Sequence, residues 1–94
     1  MYVVIRNYSG AGASELFDLL EQRSEDVREL IGGVPGFVSY TGVRSGDGGA
    51  TVTVCQDKAG TDESSRRAAE WVGENATANV APPDITEGST FLTF

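Results

Sequence analysis

The sequence predicts an α+β domain of the ferredoxin-like βαββαβ type, an antiparallel sheet with two helices on one face. Three observations point there. β-Branched and aromatic runs open and close the chain, two segments place apolar residues at helical spacing, and a glycine-rich link joins two strand-like runs in the middle. The 94 residues suit a single domain, 1–94, with a small core.

Each element follows from local chemistry. Tyr2 to Tyr8 is aromatic and β-branched and stops at Ser9-Gly10-Ala11-Gly12, so it reads as a strand followed by a loop. From about Ala13 to Ile31, Leu16, Leu19, Leu20, Val27, Leu30 and Ile31 recur at helical spacing among acidic residues, and Gly32-Gly33 with Pro35 supply the stop. Phe37 to Arg44 and Ala50 to Gln56 form a hairpin through Ser45-Gly46-Asp47-Gly48-Gly49. A second helix is expected to start near Thr61 or Asp62, to run towards Ala78, and to turn Ser65, Ala68, Ala69, Val72 and Ala76 inward. Pro82-Pro83 breaks the chain, and Ser89 to Phe94 reads as the last strand.

The strands are apolar on both faces. Val3 and Ile5 point opposite to Tyr2, Val4 and Tyr8, so one face meets the helices and the other calls for a partner. A homodimer packed sheet to sheet answers that need, since buried apolar surface stabilises by about 25 cal/mol per Å².

Composition narrows the function. Fourteen acidic against seven basic residues give a net charge of −7, which disfavours a grip on phosphate backbone or anionic lipid; no nucleic-acid or membrane partner is expected. With no histidine, the commonest metal ligand and the usual general base near neutral pH are missing, and no metal site or cofactor is expected. The single cysteine, Cys55, forms no internal disulfide, and the start Met1-Tyr2-Val3-Val4-Ile5-Arg6 lacks the pattern of a secretory signal; a cytoplasmic location is the expectation. Glu63, Glu70 and Glu74 read as a solvated helix face. Gly46, Gly48 and Gly49 read as a turn, since no helix N-terminus or lysine follows them as in a phosphate loop.

Three stretches carry a resemblance covering essentially the whole chain. They are Tyr2-Val3-Val4-Ile5-Arg6, Val34-Pro35-Gly36-Phe37-Val38-Ser39-Tyr40, and Glu63 to Val72 with the sequence ESSRRAAEWV. Together they resemble the antibiotic biosynthesis monooxygenase-like family of the dimeric α+β barrel superfamily. The resemblance implies a dimeric barrel and a pocket between sheet and helices. Members include cofactor-independent quinone-forming monooxygenases, haem-degrading enzymes and proteins of unassigned activity, so fold alone does not fix function.

In enzymes of that family, an asparagine ending the first strand and a tryptophan on the second helix help form the pocket. Asn7 and Trp71 match those positions. The haem-degrading members ligate iron through a histidine that this chain lacks, so haem degradation of that kind is not expected. Arg6, Arg44, Tyr8 and Tyr40 are the other groups able to orient an anionic or phenolic ligand, or else form strand surface or dimer contact. Cys55, in a strand, reads as a small buried hydrophobe. Two functions stay open: a binding or accessory protein for a small, partly aromatic ligand, and a cofactor-independent monooxygenase acting on an aromatic or quinol-type substrate.

Overall fold

The computed structural model describes residues 1–77 and 79–94. Strand β1 (Tyr2–Tyr8) lies inside a four-stranded sheet of order β2-β3-β1-β4, where β2 is Phe37–Ser45, β3 is Gly48–Cys55 and β4 is Asp84–Ser89. Every neighbouring pair is antiparallel. Helices α1 (Ala13–Gln22), α2 (Ser24–Gly32) and α3 (Lys58–Asn75) complete the described elements. The chain therefore has the ferredoxin-like α+β fold, with the helical layer on one face of the sheet.

The sheet's two faces differ as strand alternation requires. Val4, Arg6 and Tyr8 of β1 and Thr51, Thr53 and Cys55 of β3 are buried beneath the helices, while Asn7 between Arg6 and Tyr8 is exposed. Leu16, Phe17, Val27 and Ile31 complete the core from the helical side, with the Phe17 ring edge-on to Tyr8 at a centroid distance of 5.9 Å. The opposite sheet face carries Val3, Ile5, Val52 and Val54, all half-buried in the single chain.

Three expectations need correction. The first helix is two segments meeting at Arg23, whose ψ of 31° leaves the helical range. Residues 21–26 are EQRSED, six polar positions in a row, so nothing apolar clamps that turn to the sheet. Glu25 and Asp26 then begin a fresh first turn, where carboxylates favour the helix dipole.

The second helix starts earlier than Thr61. Asp57 caps it, its Oδ1 accepting from the Gly60 amide at 3.2 Å, so the helix takes in Lys58, Ala59 and Gly60. It ends at Asn75, and the expected continuation to Ala78 lies outside the described residues. Its deepest positions are Gly60, Thr61 and Ser64 rather than the alanines.

The last strand is Asp84–Ser89, not Ser89 to Phe94. Its length is set by β1: Tyr2 pairs with Ser89, the Thr90 amide donates to the Met1 carbonyl at 2.9 Å, and beyond that point β1 offers no further ladder. Phe91, Leu92 and Phe94 are left exposed in the single chain. Among the described residues no helix is long and apolar enough to cross a membrane.

Candidate functional site

Tyr8 forms part of the wall of two spaces between the sheet and the helices. The inner one is lined by Tyr8, Tyr40 and Trp71 together with Leu16, Ile31 and Thr51. Its volume is about 20 Å³, room for roughly one water. Leu20, Val27, Ile31 and Tyr40 also border an open groove of about 550 Å³ between α2 and β2. Tyr8, Tyr40 and Trp71 are thus brought together, as strand, strand and helix residues around one small space.

The second space is larger. About 360 Å³ opens between the inner faces of β1 and β4, one side of α3 and the segment 80–83. Arg6 and Tyr8 form part of its wall, with Ser65, Ala68 and Val72 from α3 and Ile85 from β4. The opposite rim, Val80 to Pro83, is held in place by the Ala81 amide, which donates to the Ala11 carbonyl at 3.3 Å. The small residues of α3 therefore border open space along part of their length rather than touching the sheet throughout.

Arg6 is only 3% exposed. Its Nη1 donates to Thr53 Oγ1 at 3.1 Å, and its Nη2 donates to Ser64 Oγ at 3.0 Å and Ser65 Oγ at 2.9 Å. Ser64 in turn donates to the Thr61 carbonyl at 2.7 Å. Burial pulls the guanidinium below its ordinary pKa, with Tyr8, Tyr40 and Cys55 acting against that shift; arginine still remains charged at any ordinary pH.

Burial also pushes up the phenols. Tyr8 is raised by desolvation, with Arg6 opposing and Tyr40 assisting; Tyr40 is raised by desolvation, with the Thr51 hydroxyl and Arg6 opposing. Both remain protonated near neutrality, so they can donate a hydrogen bond but do not serve as bases. Cys55 is fully buried and its thiol is pushed up by burial and by Asp57, which keeps it in the unreactive protonated form.

Two expected site residues lie elsewhere. Asn7 points to the other side of the sheet with Val3 and Ile5, because it alternates with the buried Arg6 and Tyr8, and so it does not meet Trp71. Arg44 shares the helical side but reaches α1, where Asp18 holds it at 3.2 Å and Glu21 at 2.9 Å, over the Phe17 ring. The acidic face of α3 is occupied by its own arginines: Glu63 receives Arg66 and Arg67, and Glu70 receives Arg66.

The sequence suggested Arg6 only as one of several orienting groups. Its signal was parity, since Arg6 shares a strand face with Val4 and Tyr8; the polar partners waiting on α3, Ser64 and Ser65, were not legible as such.

The class defined by this sheet order and helical layer is the ferredoxin-like α+β fold, and solved structures share it. A protein of unknown function from Nitrosomonas europaea, NE2512, superposes with a TM-score of 0.73 at 17% identity, covering 99% of this chain and 91% of that one. A monooxygenase from the gene ActVA-Orf6 of Streptomyces coelicolor, in complex with the ligand Nanaomycin D, gives 0.69 at 23% identity over 99% and 89%. A dimeric ferredoxin-like protein from an uncultured marine organism gives 0.63 at 15% identity over 98% and 96%. No protein-family profile matches the sequence, and no curated protein sequence does. At these identities the likeness establishes the fold.

Proposed function

We propose that this chain binds a small, partly aromatic organic molecule between the sheet and α3, as a homodimer with one such site in each subunit. The observation that carries the reading is the cavity of about 360 Å³ beside Tyr8, Ala68 and Val72, a volume within the roughly 300–1,000 Å³ usual for ligand pockets. The two-sided apolar sheet supports the dimer, since Val3, Ile5, Val52 and Val54 lie on the side away from the helices.

The test is a screen of fused-ring compounds by thermal shift, followed by amide chemical-shift mapping on the wild type and on Ala68→Leu. The larger side chain fills the wall shared by both spaces. A binder whose shifts map to β1 and α3, and whose affinity drops at least tenfold in a folded Ala68→Leu protein, supports the reading. Binders that ignore the substitution would overturn it.

A second reading is a cofactor-independent monooxygenase acting on an aromatic or quinol-type substrate. The shared fold of the Streptomyces coelicolor monooxygenase favours it. With Tyr8 and Tyr40 protonated, the chain supplies hydrogen-bond donors rather than a base there, so such a substrate would have to ionise readily itself. Oxygen uptake with hydroquinones in the absence of added flavin or metal separates this reading from binding alone.

A further inference from the structure

Seven basic side chains serve fourteen acidic ones, and five of the seven pair with carboxylates: Arg23, Arg44, Lys58, Arg66 and Arg67. Arg28 is exposed to solvent. Arg6 alone is buried, and among the described residues its partners are three neutral hydroxyls and no carboxylate. In a chain with twice as many acids as bases, leaving the one buried cation without a counter-charge is costly, because a buried charge is normally paired.

That cation borders the 360 Å³ cavity, and the rest of the lining is apolar or hydroxylic. Val72, Val80 and Ile85, alanines and prolines make up most of the wall, with Ser65 and Tyr8 as polar groups; among the described residues no Asp or Glu lines it. Three of the guanidinium's hydrogen bonds are already set, which fixes its plane, while a guanidinium offers five N–H donors. The site thus combines a preorganised positive charge, a hydroxyl able to reorient, and an open, largely apolar recess of ring-system size.

We propose that Arg6 makes this cavity a receptor for an organic anion, a carboxylate carried on an apolar ring-sized body. The proposal rests on the cavity being a small-molecule site, and adds the charge of the occupant. The carboxylate supplies the counter-charge that the fold withholds, and a charge-assisted bond to a desolvated guanidinium is stronger than a neutral one. The apolar body fills the space between Ala68, Val72 and Ile85. Elsewhere the net charge of −7 disfavours anions, so stoichiometric uptake of one would report this site.

The experiment uses 2-naphthoate and 2-naphthamide, which share a ring body and differ in charge, titrated calorimetrically into the full chain. The expected result is one naphthoate per subunit, bound at least tenfold more tightly than naphthamide. Arg6→Met should erase that preference while retaining naphthamide binding. Because Arg6→Met removes three buried hydrogen bonds and could fail to fold, Ala69→Asp is the companion variant. Ala69 is an exposed helix position at the cavity wall, and a carboxylate there should neutralise Arg6 and abolish the preference in a folded protein. Equal affinity for the two probes in the wild type would overturn the anion proposal and leave the cavity reading standing. Binding of neither probe would remove both. A naphthoate preference that survives Ala69→Asp would place the anion elsewhere and also overturn the proposal.

Discussion

The guanidinium of Arg23 lies over the indole of Trp71, 5.6 Å from the ring centroid, at the point where the first helical segment gives way to the second. Arg23 also donates to Asp26 at 2.6 Å and to Asn75 at 3.3 Å, so one side chain ties the α1–α2 break to the far end of α3. The break is thereby held over the outer side of the tryptophan that walls the inner space.

Trp71 is the only tryptophan, so its fluorescence reads this contact directly. Arg23→Ala should shift its emission to the red while costing about 0.5–1 kcal/mol, the scale of an exposed cation–π contact. Trp71→Ala should cost more, up to about 3 kcal/mol in urea unfolding, because it removes a half-buried ring. Asn7→Ala, on the opposite sheet face with Val3 and Ile5, should leave the Trp71 emission unchanged. A shifted emission for Asn7→Ala would contradict its placement.

Gly60 lies where α3 presses on β3. A Cβ at that position would meet Cys55 Cβ at 2.8 Å, the Pro35 carbonyl oxygen at 3.0 Å and Cys55 Sγ at 3.1 Å. Helix propensity alone favours alanine over glycine by about 1 kcal/mol. Overpacking works the other way by about 1–3 kcal/mol, and two of the three obstructing atoms belong to strand or loop segments that cannot swing aside. Gly60→Ala should therefore lower stability in denaturant unfolding, and a stabilised variant would show that α3 can lift from the sheet.

Acid should loosen α3 through Glu63. The side-chain hydrogen bonds of Arg66 and then Arg67 hold its carboxyl well down, at about 2 against an ordinary 4.5. A depressed folded-state pKa means that the unfolded chain binds the proton first, so the contribution is present above about pH 4.5 and disappears as pH falls towards 2. Glu63→Gln should flatten that part of the stability-versus-pH curve, measured by urea midpoints at successive pH values. An unchanged acid limb would show that the ion pairs of this exposed face contribute nothing net.

The dimer is checked by sedimentation. The wild type should run at twice the 9.9 kDa chain mass, and Ile5→Asp, which puts a charge beside Val52 on the helix-free sheet face, should run as a folded monomer. A wild type that sediments at 9.9 kDa at micromolar concentration would sink the dimer.

Much of the architecture was open to reading because it depends on short-range patterns. The first strand matches Tyr2–Tyr8 residue for residue, and the hairpin falls around Gly46-Asp47, since turn chemistry and alternation act within a few residues. The cap at Asp57 was also written locally, but Thr61 and Asp62 offered competing caps, and in the fold both lie inside α3.

What the sequence determined by itself is the alternation of strands with helical stretches, the absence of an imidazole and the parity that sets Arg6 with Val4 and Tyr8 against Asn7 with Val3 and Ile5. It could not say which of those two sets meets the helices, because both contain residues worth burying. The tertiary structure decided that. It placed Arg6 beneath α3, where Ser64 and Ser65 receive it, sent Asn7 to the other face, drew Arg44 away to Asp18 and Glu21, and ended β4 where β1 runs out. Each outcome turns on partners far apart in the chain: a hydrogen-bond ladder stops when its neighbouring strand stops, and a charge settles where the packed fold brings it an acceptor.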